Sequence, residues 1–393
     1  MIENRKRSEK VVIAALQTSD ENEALFEEDL AEMVMLCTTA GATVINTVIQ
    51  KRDQPVASTF IGQGKLIEIK AYMHSNGCDT LILDAQLSPG QVRNIEKIIN
   101  GKVIDRGQLI LDIFAKHAKT NEARIQVELA QMRTLYPRLT HAWTHFSQQV
   151  GGIGTKGPGE KQLEIDRRLI QTKISDLKNR LEKIEQQRLT QHGSRSDIFR
   201  AALVGYTNVG KSSLLNTLSG SQVLVENKLF ATLDTATRRT YLQGAGNIVI
   251  SDTVGFLRKL PHHLVASFRS TLSVVADAQL LLVVMDASSE WTGQHLTTID
   301  SVLKDLDAEA VEKLYVFNKF DLVRDPFVKK KLLLDYPYGI FVSAFEKNDM
   351  RLLKEKIAER VISYRKEMTK KDIIYKQSKS HRQERSDSDA LQV

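Results

Sequence analysis

The chain has 393 residues, 42% of them hydrophobic and 26% charged, a balance that allows sizeable buried cores and excludes a disordered or predominantly membrane-embedded chain. Lys and Arg number 55 against 48 Asp and Glu, and the resulting net charge of +7 suits an anionic partner such as RNA without requiring one. Cys37 and Cys78 lie far apart in apolar surroundings without ligand-like spacing, which predicts two buried thiols in a reducing compartment rather than a structural zinc.

Residues 1–107 are expected to form an N-terminal α/β domain. The opening MIENRKRSEK carries no apolar signal core, so a cytoplasmic protein is expected, with at most a membrane-associated fraction and no stable membrane insertion. Apolar runs of strand length (VVIAAL, TVINTVI, TLILDA, KVID) alternate with helix-like stretches, the pattern of parallel strands covered by helices. Ser88 followed by Pro89 supplies an N-cap hydroxyl and a residue already at helical φ, opening a helix through QVRNIEKII. The run Gly62-Gln63-Gly64-Lys65 is too short to wrap a phosphate and lacks a following Ser or Thr, so it predicts a plain turn before the helix LIEIKAYM.

Residues 108–192 change to a helical period. Ile110, Phe114, Ala118, Ile125, Leu129, Met132 and Tyr136 form one stripe, on a helix that Pro137 is expected to end. Ile170, Ile174, Leu177, Leu181 and Ile184 step by four, three, four and three, a heptad seam. Together they predict a long antiparallel helical hairpin with a connection over 137–161. Within that connection Gly152, Gly154 and Gly157 match the G-x-G-x-x-G of a dinucleotide turn, but no strand feeds it and the following helix is a coiled-coil arm, so that reading fails. Arg138, Lys156 and Lys161, interleaved with His141, Trp143, His145 and Phe146, suit an RNA-contacting loop; a plain connector whose aromatics cap the hairpin stays equally open.

Residues 198–362 alternate strands and helices again, while 363–393 form a polar tail expected to begin as helix and end disordered. The LLLVVM run at 280–285 is far too short to span a bilayer. FRAALVGY leads into Gly205, Tyr206, Thr207, Asn208, Val209, Gly210, Lys211 and Ser212 and then the helix SLLNTLSG, the strand, G-x-x-x-x-G-K-S and helix order of a P-loop. Its backbone N–H groups would wrap the β-phosphate, Lys211 would reach the β- and γ-oxygens, and the Ser212 hydroxyl would ligate Mg²⁺. NIVISD ends in Asp252, Thr253, Val254 and Gly255, suited to a Mg²⁺-bound water and a γ-phosphate contact. LYVF runs into Asn318, Lys319, Phe320 and Asp321, whose carboxylate can accept from both guanine donors and, as an unpaired buried charge, would reject adenine. After GIFV, the N–H groups of Ser343, Ala344 and Phe345 can meet guanine O6. Between the first two elements, Thr232, Thr235 and Thr237 compete to be the Mg²⁺-ligating switch threonine.

The segment Phe230, Ala231, Thr232, Leu233, Asp234, with GYTNVGKSS, DTVGF, NKFD, SAF and the stretch GGIGTKGPGEKQLEIDRR at 151–168, resembles the HflX family of translation-factor-related GTPases over nearly the whole chain. The resemblance implies an α/β fold in which a P-loop GTPase domain follows an N-terminal α/β domain and a long helical hairpin. It implies Thr232 as the Mg²⁺ ligand beside Ser212, GTP and GDP as ligands, and the ribosome as partner, chiefly the 50S subunit and its rRNA. A monomer is expected, with no DNA partner. The implied activity is the splitting or rescue of stalled ribosomes, especially under heat stress. Phe256 stands where many GTPases carry a water-orienting Gln, so slow intrinsic hydrolysis is expected and no catalytic base is assigned. Two alternatives are a ribosome-assembly GTPase and a signalling switch acting on a protein effector.

Overall fold

Two mostly parallel sheets and a helical hairpin between them carry the chain. The computed structural model describes residues 8–142, 158–192, 198–220, 229–230, 233–259, 261, 264 and 269–390. The N-terminal part runs β1 (Glu9–Gln17), α1 (Glu23–Thr39), β2 (Ala42–Lys51), α2 (Gln63–Ser75), β3 (Thr80–Leu83), α3 (Pro89–Ile99) and β4 (Lys102–Asp105). Its four strands are all parallel in the order β2-β1-β3-β4. The VVIAA of β1 is buried on both faces because a two-residue period sends Val12 and Ala14 to one core and Val11 and Ile13 to another. The α3 start is as expected: Ser88 and Gln91 form a reciprocal capping box with Pro89 in the first turn. The predicted turn at GQGK lies one step earlier. Gly62 is the N-cap of α2, held by Gln50 Oε1 at 2.8 Å, and Gln63 already belongs to the helix.

The stripe from Ile110 to Tyr136 does not lie on one helix. It divides into α4 (Arg106–His117) and α5 (Asn121–Ala142). Ala118 turns extended at ψ 108, and the Thr120 hydroxyl starts a new helix by accepting from the Ala123 N–H at 3.2 Å. Nor does Pro137 end the helix. It sits inside α5, where the lost backbone bond is offset by packing on α6 (Pro158–His192) and by Arg138, which pairs with buried Asp105 at 3.0 Å. That pair ties Arg138 to the N-terminal domain. The seam is largely as expected, with Ile125, Leu129 and Leu177 buried and Met132, Ile174, Leu181 and Ile184 packed on them. The contacts Glu128–Lys173 at 3.0 Å and Tyr136–Arg167 at 3.3 Å descend along α6 as they climb α5, so the pair is antiparallel. The tip residues Trp143, His145, Phe146, Gly152, Gly154, Lys156 and Gly157 lie outside the described residues, as do the side chains of His141 and Lys161.

The remainder runs β5 (Arg200–Gly205), α7 (Lys211–Ser219), β6 (Ala236–Leu242), β7 (Gly246–Asp252), α8 (Arg269–Ala276), β8 (Leu280–Asp286), α9 (Thr292–Asp305), β9 (Glu312–Asn318), α10 (Pro326–Asp335), β10 (Ile340–Phe341) and α11 (Lys347–Ala390). Its six strands order as β10-β9-β8-β5-β7-β6, with only the β6–β7 pair antiparallel. The run LLLVVM is the buried strand β8, flanked by β5 and β9. Where the tail was expected to lose structure, α11 continues unbroken from the GTPase sheet to Ala390. One apolar core extends from Val11 and Ile13 through α4 into the six-stranded sheet, so the two sheets are packed as one body around α4. No described helix is long and apolar enough to cross a membrane.

Candidate functional site: a nucleotide cradle tied to the N-terminal domain

The cradle forms where β5 ends and α7 begins. Gly210 has φ +92, and a Cβ there would stand 2.3 Å from Asn318 Nδ2, so only glycine fits the turn. Gly255 faces the cradle from the end of β7, where a Cβ would come within 2.7 Å of Thr207 Cα. The two segments are stitched by backbone: the Thr207 N–H donates to Phe256 O at 2.9 Å and the Phe256 N–H to Gly205 O at 3.0 Å. Lys211 is buried, its Nζ donating to Tyr206 O at 2.7 Å and Gly205 O at 3.1 Å. Burial pulls its ammonium down to about 8, against the pull of Asp252. The Ser212 hydroxyl donates to Asp252 Oδ2 at 2.6 Å, bringing together the two groups predicted to serve Mg²⁺. Thr253 donates to Leu203 O at 2.7 Å and Val254 is buried, so both support the strand end.

These residues fit a phosphate and a divalent cation. The Thr207 hydroxyl is buried in the cradle and has no hydrogen-bond partner among the described residues, a lack that a phosphate oxygen would fill. Ser212 and Asp252 supply hard oxygen donors of the kind Mg²⁺ takes alongside phosphates and water.

The base-side elements also converge. Asn318 donates from Nδ2 to Val209 O at 2.8 Å and accepts the Ala344 N–H on Oδ1 at 3.1 Å, joining the P-loop to the 343–345 loop. The Ser343 N–H is taken by Asp349 at 2.8 Å, and the Phe345 ring is 86% exposed. Lys319 pairs with Asp286 at 2.7 Å, and the Phe320 ring packs on Phe341 at 5.2 Å. Asp321 is exposed in a short 3-10 turn (Phe320–Leu322). The expected rejection of adenine through burial of this charge is therefore replaced by a simpler cause: adenine lacks the two donors the carboxylate would accept.

Three expected site residues behave otherwise than as nucleotide contacts. The Asp234 carboxylate points away from the cradle to the α4–α5 junction, accepting the Lys119 N–H at 2.8 Å and the Thr120 N–H at 3.2 Å. Phe256 is 1% exposed, so the ring in the usual water-orienting position is a core side chain. The Tyr206 hydroxyl leaves the cradle to donate to Glu32 of α1, while accepting the Arg258 N–H at 2.9 Å. Ala231 and Thr232 lie outside the described residues, whereas Leu233 is buried in the core.

Tyr206 enters a buried charge network that the motifs did not reveal. Arg106, 2% exposed, pairs with Asp84 at 2.6 Å and with Glu32, and donates to Arg258 O at 3.1 Å. Arg258 and Lys259, just after Phe256, pair with Asp29 at 3.0 and 2.8 Å. Burial would lower the Arg106 pKa, but Glu32 and Asp84 outweigh it and hold the guanidinium charged. The available sequence signal was the placing of Asp29 and Glu32 among Phe26, Met33 and Leu36 on the buried side of α1. An acid in an apolar stripe needs a buried cation.

Beside this network His295 stacks on Tyr206 at 4.0 Å and sits 3.4 Å from Glu28. Burial pushes Glu28 up to about 7 and His295 down to about 4. A raised carboxyl stabilises the fold below its unfolded pKa and loses that contribution as pH rises towards 7; the depressed imidazole contributes above its unfolded pKa and loses that contribution as pH falls towards 4. The two effects oppose each other. We predict that Glu28→Gln leaves only the second, so its melting temperature climbs from pH 4 to 6.5 more steeply than that of the wild type; parallel profiles in thermal melts would contradict this assignment.

Comparison with known proteins agrees with this geometry. Residues 27–115 match the family described as GTP-binding GTPase N-terminal, 117–195 the GTP-binding GTPase middle region, and 200–319 the 50S ribosome-binding GTPase family. The GTPase HflX of Flavobacterium psychrophilum is 47% identical over 80% of this chain and 76% of its own. That of Escherichia coli is 44% identical over 76% and 70%, and that of Lacrimispora saccharolytica 40% identical over 96% and 90%. A crystal structure of SsGBP with GDP matches 91% of this chain and 99% of its own at 25% identity and a TM-score of 0.52. With three successive family regions in order around an intact P-loop, the chain belongs to the HflX family of GTPases.

Proposed function

We propose that this GTPase acts on the ribosome: its GTP form engages the 50S subunit and its rRNA and splits or rescues stalled 70S particles under heat or other stress, and hydrolysis releases it. The observation carrying this reading is the direct wiring of the P-loop and the 256–259 segment to the N-terminal domain through Tyr206, Arg258 and Lys259, which offers the γ-phosphate state a path to parts that do not touch nucleotide. The +7 net charge and the Gly-rich, Lys-bearing tip at 151–161 add attraction for RNA.

In this reading residues 205–212 wrap the phosphates, Asp252 to Gly255 face the γ-phosphate, Asn318 to Asp321 and Ser343 to Phe345 take the guanine, and Ser212 with Thr232 holds Mg²⁺. The cation would neutralise charge on the β- and γ-phosphates. With Phe256 buried, no described side chain orients the attacking water, so hydrolysis alone is slow and rises on the ribosome.

The GTPase rate with and without 50S subunits, together with sedimentation of 70S ribosomes mixed with GTP-loaded protein, tests this. Stimulation and conversion of 70S into subunits are expected. Intact 70S with binding to immature particles would favour an assembly factor, and indifference to ribosomes would favour a protein-effector switch. Removing residues 151–159 is expected to spare GTP binding and abolish splitting. Asp321→Asn should shift preference from GTP to xanthosine triphosphate by about a hundredfold or more, read from competition binding; unchanged GTP affinity would remove Asp321 from base recognition.

A further inference from the structure

The segment 229–234 is packed on the root of the helical arm by two independent contacts. The Phe230 ring meets Phe114 of α4 edge-on, with centroids 4.6 Å apart. Asp234 accepts the Lys119 and Thr120 N–H groups and the Thr120 hydroxyl. Those N–H groups stand where α5 begins, so Asp234, more than a hundred residues away in sequence, supplies a carboxylate at the positive end of the helix that forms one half of the arm. Thr120 is the joint between them: its hydroxyl donates to Asp234 while accepting the Ala123 N–H of α5. Leu229, Phe230 and Leu233 are all nearly buried, so the segment is seated rather than draped. Phe230 is nevertheless held at φ +56, a left-handed conformation that a non-glycine residue adopts only when its surroundings enforce it.

We propose that Thr120 is a positioning residue for the GTPase reaction, acting through Asp234 to latch the 230–234 segment to the arm, and that γ-phosphate engagement opens this latch. The inference rests on the reading of this segment as the nucleotide-sensing loop. Thr232 lies two residues before Asp234 and two after Phe230, so drawing it towards Ser212 and Asp252 pulls on both contacts. Releasing Phe230 from its left-handed conformation favours the opening. The closed latch therefore favours GDP, and the free energy spent on opening is subtracted from GTP affinity. By the same linkage, whatever reorients the arm changes GTP affinity.

Two measurements on the full-length protein test this, with GDP and a non-hydrolysable GTP analogue as probes. Hydrogen exchange of the amides of 119–123 should be at least about tenfold faster with the analogue than with GDP. Thr120→Ala should raise the ratio of analogue to GDP affinity about tenfold, as expected for losing one hydrogen bond to a charged group, and Thr120→Ser should restore the wild-type ratio. A residue that merely caps α5 would lower the melting temperature and leave the ratio unchanged, and that result would overturn the proposal. Phe114→Leu, which loosens the apolar contact and leaves the cap intact, should raise the ratio in the same direction. Equal exchange in both nucleotide states of the wild type would also overturn it. Failure to bind GTP at all would instead defeat the functional reading on which the latch depends.

Discussion

Lys211→Ala should reduce the rate of GTP hydrolysis by about 10²–10³ and weaken GTP binding by about 10- to 100-fold. The first figure is typical of removing one preorganised donor from developing transition-state charge, and the second corresponds to about 1.5–3 kcal/mol for a hydrogen bond to a charged group. The side chain is fully enclosed and already directed at the cradle, with its ammonium on the carbonyls of Gly205 and Tyr206. No long side-chain search is needed when phosphate arrives. The same burial makes the contact pH-sensitive. With the ammonium held down to about 8, the ligand-free protein loses this proton above that pH, while the phosphate-bound form requires it. GTP affinity should therefore fall about tenfold per pH unit beyond 8 in the wild type, and this fall should vanish in Lys211→Ala. Isothermal titrations between pH 7 and 9.5 would decide it: a flat wild-type profile would mean that Lys211 stays charged in the empty cradle.

Replacing Arg106 by Met should cost about 3–5 kcal/mol, because it leaves Glu32 and Asp84 buried without their cation. The expected loss in melting temperature is about 6–20 °C. The effect reaches beyond stability, since Arg106 also holds the Arg258 carbonyl and Glu32 holds Tyr206. A companion Arg106→Met, Glu32→Gln variant removes one of the two stranded charges and should recover part of the loss. If the single variant melts within a degree or two of the wild type, the carboxylates must be neutral in the native protein and the network is a hydrogen-bond cluster rather than an ion cluster. Burial does push Glu32 upward, opposed by Arg106, so the variant directly measures how much that guanidinium contributes.

The nucleotide cradle was the most legible feature because its chemistry is local. Gly205 to Ser212, Asp252 to Gly255, Asn318 to Asp321 and Ser343 to Phe345 each sit at the end of an apolar strand, and the parallel order of β5, β7, β8 and β9 brings those ends to one edge. Strand placement followed from the same runs, including LLLVVM as an interior strand. The helical arm was legible in type and seam but not in its breaks. A period of 3.6 carried the stripe across Ala118 as though the helix continued, because apolar spacing does not register a junction created by a capping carboxylate from another part of the chain. Pro137 was misread for the converse reason: its local cost is real, but the packing of α5 on α6 and the Arg138–Asp105 pair outweigh it.

What the sequence determined by itself was therefore whatever depends on neighbours within a few residues: the P-loop, the base-reading tetrad, the capping box at Ser88 and the alternation of strand and helix. Only the tertiary structure decided where Tyr206, Asp234 and Phe256 would point. Each was assigned by motif to the nucleotide or its water. Instead, Tyr206 was claimed by a buried acid on α1, Asp234 by free amides at the start of α5, and Phe256 by the apolar core. The physical reason is common to all three. A side chain settles where its hydrogen bonds and apolar surface are satisfied, and for these three the groups that satisfy them are supplied by segments distant in sequence that only the fold brings near.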